Sequence, residues 1–210
     1  DDIKWVGEAV KQPIAREGED HNVWIWSHPL PGKKYIASAD VARGDSKDFS
    51  TIHIIDIEES EVVAEYKGKM PPDRLAEMLN FWGRRYNNAL VCPENNSFGF
   101  GTCTKLRELG YPKLYFENSK AVYITSEYIP LNNDRQPGFN TNGKTRVQIL
   151  SKLEEVIRNK AIKIYSSRFY DELKTFVWAS AKPQAAKGYN DDLIISLAIG
   201  VWLYDASAGY

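Results

Sequence analysis

Two periods alternate along this chain. Residues 34–41 (KYIASADV), 51–57 (TIHIIDI) and 61–67 (EVVAEYK) are β-branched runs separated by polar turns. They predict three consecutive antiparallel strands. Gly44 is the turn residue of the first connection, ARGDSKD. From Pro71 the period becomes helical: Leu75, Met78, Leu79, Trp82 and Tyr86 fall on one stripe. Residues 89–93 (ALVCP) read as a short buried strand, 102–109 as a helix stopped by Gly110, and 113–117 (KLYFE) as a fifth strand. Residues 118–143 are rich in Asn, Gly and Pro and lack a period, as functional loops do. Helical spacing returns at 145–159. Residues 161–165 (AIKIY) read as a short strand and 168–179 as a helix. The last helix, 191–204, is apolar nearly all round and belongs at the centre, with Asn190 as its N-cap. The first 20 residues are polar and aperiodic, and 22–26 (NVWIW) is a short apolar run broken by Pro29 and Pro31. This order of elements predicts an α/β domain with a mixed sheet covered by helices, preceded by an arm or linker over residues 1–33.

Composition narrows the classes. With 210 residues, 43% of them hydrophobic and 12% aromatic, the chain builds a sizeable core and is not disordered. No apolar run approaches the roughly 18 residues of a membrane-spanning helix. Two cysteines, Cys92 and Cys103, exclude a disulfide scaffold and a four-cysteine zinc module. The start Asp1-Asp2 has no basic leader, so an intracellular, reducing setting is expected. The net charge of −1 gives no general attraction to nucleic acid. Its distribution is uneven: residues 1–60 carry 7 basic and 12 acidic residues, whereas 141–190 carry 10 and 4. That asymmetry suits an acidic site in one part and a polyanion-facing patch in another.

Three carboxylate positions stand out. Asp40 lies inside an apolar strand, Glu94 just past the end of ALVCP, and Asp191-Asp192 at the start of the final helix. A carboxylate in an apolar strand costs several kcal/mol unless paired, hydrogen-bonded or metal-bound, and no local cation is evident for Asp40. Open α/β sheets bind ligands at the carboxyl ends of their strands, and Asp40 and Glu94 meet there if their strands are neighbours. Asp191 and Asp192 also suit a helix start on plain electrostatic grounds. Hard oxygen ligands without His or Cys select Mg²⁺ or Mn²⁺. Two such ions are the apparatus of phosphodiester hydrolysis. Asp48, in the loop after Asp40, is a candidate auxiliary carboxylate. Lys144 and Arg146 open a helix against its dipole, and Lys182 and Lys187 precede Asp191. Each is a candidate phosphate contact or plain solvated surface. His53 reads as a half-buried strand residue. No G-x-S-x-G elbow, P-loop or dinucleotide fingerprint occurs.

Three stretches taken together, residues 35–57 (YIASADVARGDSKDFSTIHIIDI), 90–106 (LVCPENNSFGFGTCTKL) and 187–203 (KGYNDDLIISLAIGVWL), resemble the nuclease domain of the large terminase subunit of tailed bacteriophages. The resemblance spans roughly residues 34–205. It implies an RNase H-like fold over 34–210 and an acidic triad of Asp40, Glu94 and Asp192, with Asp191 and Asp48 as further acidic positions. It implies a Mg²⁺- or Mn²⁺-dependent endonuclease of low sequence specificity that cuts concatemeric double-stranded DNA. The implied partners are an N-terminal ATPase motor in the same full-length chain, a portal or procapsid and a small terminase subunit, in the host cytoplasm and with no membrane. Many relatives have His before the Asp pair. Here it is Asn190, which cannot titrate near neutral pH. Two other readings use the same residues: a non-catalytic DNA-binding or docking module, and another RNase H-like nuclease of the resolvase or transposase type.

Overall fold

A computed structural model describes residues 2–45, 47–117, 136–179 and 182–207. The expected loop 118–143 therefore lies largely outside the described residues. The elements are α1 (Asp2–Ala9), β1 (Ala15–Glu17), β2 (Val23–Ile25), β3 (Tyr35–Asp40), β4 (Ser50–Asp56), β5 (Glu61–Gly68), α2 (Pro72–Arg85), β6 (Leu90–Pro93) and α3 (Gly99–Glu108). Then follow β7 (Phe116–Glu117), β8 (Gln136–Pro137), α4 (Gly143–Arg158), α5 (Ser167–Thr175), β9 (Phe176–Ala179), β10 (Lys182–Ala185) and α6 (Asp192–Ser207). Among the described residues, no helix is long and apolar enough to cross a membrane.

Six strands form one mixed sheet in the order β1-β2-β5-β4-β3-β6. β3, β4 and β5 are the expected antiparallel meander. β6 adds to β3 in parallel, pairing Ile36 with Leu90 and Ala39 with Pro93. Helices cover both faces, so the central strands are buried on both sides. Side-chain alternation assigns each residue to a face. Ala37, Ala39, Ile52, Ile54 and Val91 pack with Leu75, Leu79 and Trp82 of α2 and Leu106 of α3. Ile36, Ile55, Leu90 and Cys92 pack on the opposite face with α4, α5 and α6. By the same period of two, Asp40 follows Ile36 and Ser38, and Glu94 follows Leu90 and Cys92. Both carboxylates therefore come to the α6 side.

The helices form for local reasons. Proline at the first turn and Asp73 open α2, and its stripe is the buried face. α4 is opened by a capping box: Asn142 accepts from the N–H groups of Lys144 and Thr145. α6 has no polar face because it lies against β3 and β4 and packs against α4. Each Leu or Ile it buries contributes about 1.5–3 kcal/mol. Gly200 permits this approach: a Cβ there would stand 2.6 Å from both Ile55 Cδ1 and Ser38 Oγ.

Several elements differ from the expectations. The supposed arm is ordered: α1 packs on α5, and β1 and β2 extend the main sheet from β5, across the expected boundary at residue 33. Residues 161–165 are not a strand, because only Lys163 bridges to Glu61. In 113–117, Leu114 bridges Val91, and only Phe116–Glu117 is a strand, against β8. The helix expected over 168–179 stops at Thr175. Phe176–Ala179 pairs instead with Lys182–Ala185 as an antiparallel hairpin. His53 is fully buried rather than half-buried.

Candidate nuclease site

Glu94 takes its place from backbone bonding. Its N–H donates to Ala39 O at 2.7 Å, which continues the β3–β6 ladder by one residue and sets Glu94 beside Asp40. On its other side, Phe139 N–H donates to Pro93 O at 2.9 Å and Asn95 N–H donates to Phe139 O at 2.7 Å. Asn96 fixes the side chain: its amide donates to Glu94 Oε2 at 2.5 Å. Its own Oδ1 accepts from the N–H groups of Phe98 and Gly99 at 3.0 and 2.8 Å, where α3 begins. α3 starts that close only because residue 99 is glycine, since a Cβ there would overlap Glu94 O.

Asp192 is placed by the first turn of α6, which the sheet holds from below. Thr51 Oγ donates to Asp192 O at 2.8 Å and Ser38 Oγ to Ser196 O at 2.6 Å. Ser196 Oγ also bonds Thr51 and His53. The Asp192 carboxylate, 7% exposed, accepts at Oδ2 from Phe49 N–H and the Asn190 amide, both at 3.1 Å. Asn190 is thus not the N-cap. Asp191 occupies that position, because the helix opens at Asp192 and Asp191 O accepts from Ile195 N–H at 2.9 Å. Asp191 Oδ2 does not cap the helix. It pairs with Arg146 at 2.6 Å and accepts from Ala185 N–H.

Asp40, Asp48, Asn96, Asp191 and Asp192 line one open cleft of about 420 Å³. Burial, reinforced by Glu94 and then by Asp192 and Asp191, pushes the Asp40 carboxyl well above the carboxylate range. Burial also pushes Asp192 up to about 6, against the hydrogen bond from Phe49 N–H. The cleft therefore concentrates more negative charge than its own cations neutralise. A larger groove of about 710 Å³ lies between the β1–β2 turn and α2. Its acids include Glu17 and Glu77, which are already paired with Arg85 and Arg74.

The backbone bond from Glu94 N–H to Ala39 O sets Glu94 beside Asp40, with Asp192 within electrostatic reach. Among the described residues, no three acidic, histidine or cysteine side chains stand in an arrangement that encloses a metal ion. The donor set nevertheless fits a hard divalent cation: it is all oxygen, and the acids around Asp40 raise its carboxyl further than burial alone does. Of the expected phosphate contacts, Lys144 is exposed in the first turn of α4 and Lys187 is exposed between β10 and α6. The Arg146–Asp191 pair joins those two segments. Lys182 lies in β10, and its side chain is outside the described residues. Asp45 is paired at the surface with Arg43, which lines the same cleft.

Sequence reasoning missed Asn96, Phe49, Thr51 and Ser196, together with Glu172 and Lys67. Glu172 Oε2 accepts from Leu193 N–H at 2.9 Å, and its Oε1 accepts from Lys67 Nζ at 2.6 Å. Only the pair Asn95-Asn96 before the glycine-rich helix start carried a signal, as a capping sequence.

This sheet order, with acids at the carboxyl edge and an apolar helix across β3 and β4, is the RNase H-like fold. No family model matches the chain. Solved structures with the same fold include large terminase nuclease domains of thermophilic phages. The nuclease of phage G20c superposes with a TM-score of 0.70 at 15% identity, over 97% of this chain and 98% of that one. Its magnesium-bound form gives 0.69 at 15% identity, over 96% of each chain. The nuclease domain of Thermus phage P74-26 gives 0.66 at 15% identity, over 95% and 93%.

Proposed function

We propose that this chain is the nuclease domain of a viral DNA-packaging terminase, a divalent-metal-dependent DNA endonuclease of low sequence specificity. The observation that carries the reading is the meeting of Asp40 and Glu94 at the carboxyl edge of β3 and β6, with Asp192 lining the same cleft as Asp40. Metal-bound forms of the G20c nuclease, with magnesium, cobalt and zinc, support a metal requirement. Asp40, Glu94 and Asp192 would hold Mg²⁺ or Mn²⁺, two ions with substrate bound, and Asp48 and Asp191 would add negative charge at the rim. The bound ions would supply Lewis acidity to the scissile phosphate and a more acidic water. Asn96 holds the Glu94 carboxylate beside Asp40. Lys144, Lys182 and Lys187 contact the DNA backbone and carry no sequence information. Arg146 joins them when it exchanges Asp191 for a phosphate. The remaining partners are an ATPase motor in the same full-length chain, a portal or procapsid and a small terminase subunit, in the host cytoplasm.

The test is plasmid cleavage with Mg²⁺, Mn²⁺ and EDTA beside Asp40→Asn. Metal-dependent linearisation, lost in a folded Asp40→Asn protein, is expected. Cleavage that persists in the variant would refute the assignment. A folded protein that neither cuts nor is stabilised by Mn²⁺ would make the chain a docking module. A preference for branched over linear DNA would make it a resolvase-type enzyme.

A further inference from the structure

An aspartate at a helix N-cap ordinarily accepts from the N–H groups of the second and third helical residues. In α6 those are Leu193 and Ile194, and neither is capped from within the helix. Both N–H groups donate to Glu172 Oε2, at 2.9 and 3.4 Å. Glu172 belongs to α5 and is only 6% exposed. Its other oxygen is held by Lys67 of β5 at 2.6 Å, and Lys67 Nζ lies 4.9 Å from the ring of Phe49, whose N–H holds Asp192. Asp191, at the N-cap position, turns away to Arg146 and to Ala185 N–H.

We propose that Glu172, fixed by Lys67, is a positioning residue of the nuclease site. By capping α6 from a neighbouring helix it does the work that Asp191 would otherwise do. Asp191 stays on the Arg146 side of the cleft, and the first turn stays where it aims Asp192 at Asp40. Without Glu172, two buried N–H groups lose their acceptor, which a folded protein does not leave unmet. Asp191 is the nearest replacement, and its turn inward would drag the residue that follows it. The inference rests on the metal-dependent nuclease reading.

The measurement is Mn²⁺ affinity of the whole metal-free chain, by calorimetry and by electron paramagnetic resonance, without DNA. Asp192→Asn is the control, and thermal unfolding is the check on folding. Glu172→Ala is expected to weaken Mn²⁺ binding about tenfold or more, as loss of an orienting partner does. Glu172→Gln, which keeps an oxygen for the two N–H groups, is expected to stay near wild type. If Glu172→Ala fails to fold, Glu172→Asp carries the same expected loss, because its shorter chain withdraws the acceptor while keeping the charge. Unchanged affinity in the folded Ala or Asp variant, while Asp192→Asn loses binding, would overturn the positioning role and leave the nuclease reading intact. A Gln variant as impaired as Ala would also overturn it, because charge and not capping would then matter. A wild-type protein that binds no Mn²⁺ would overturn both.

Discussion

Replacing Asp192 by Asn should make the metal-free protein more stable. Asp192 is 7% exposed, and burial lifts its carboxyl from the ordinary 3.8 to about 6. A carboxylate whose folded pKa lies above its unfolded value favours folding while protonated, below about pH 4. That advantage is lost as pH rises through 6. At pH 7.5 the ionised group therefore costs about 3 kcal/mol, and at pH 5 about half as much. Asparagine removes the charge while its side-chain oxygen still accepts from Phe49 N–H. For a chain of this size the gain corresponds to a rise in Tm of roughly 6–12 °C at neutral pH. The assay is thermal unfolding in EDTA at pH 5.0 and 7.5. Wild type should lose stability between the two relative to the variant, and Mn²⁺ should restore it only in wild type. A variant no more stable than wild type at pH 7.5, or one whose gain is as large at pH 5.0, would refute the reasoning.

Other consequences follow from the same geometry. Arg168→Ala should cost about 3–5 kcal/mol in denaturant unfolding, because it strips a partner at 2.8 Å from the fully buried Glu65. Gly99→Ala should lower stability by about 3 kcal/mol and abolish cleavage, since its Cβ overlaps Glu94 O and α3 must retreat. Normal activity in that variant would show that Asn96 and α3 do not hold Glu94. If Lys144, Lys182 and Lys187 each meet one phosphate, DNA affinity should fall about 40-fold between 50 and 200 mM salt. The triple alanine variant should lose most of that slope in fluorescence anisotropy.

The long-period features of the fold were legible because each states its own environment. The meander is written in β-branched runs, α2 in an apolar stripe and α6 in a uniformly apolar surface. What misled was short or decided by partners. β1 and β2 are three residues each, and the pairing of β2 with β5 across some forty residues leaves no local mark. AIKIY has strand alternation but meets the sheet only at Lys163. Residues 176–179 continue a helical spacing, yet β10 supplies a hairpin partner, and tertiary pairing overrides propensity.

At the site, the sequence marks the acids but not their supports. Glu172 sits in DELK and reads as a solvated helical glutamate. Only the packing of α5 on α6 makes it a cap. The difference between a functional and a structural buried acid is also tertiary. Glu65 and Asp40 are both carboxylates in central strands. Burial pushes both upward, but Glu65 is hydrogen-bonded by His53, Ser166 and Arg168, and ends below the ordinary range. Asp40 has Glu94, Asp192 and Asp191 around it, and ends well above. Glu65 has Arg168 at 2.8 Å, whereas the charged groups that raise Asp40 are all acids. Acids held together in this way persist at a cost in stability, and the proposed divalent-cation site would give that cost a purpose. If Asp192→Asn proves stabilising without metal while Arg168→Ala proves destabilising, the two acids will have been separated by experiment along the same line that their neighbours draw.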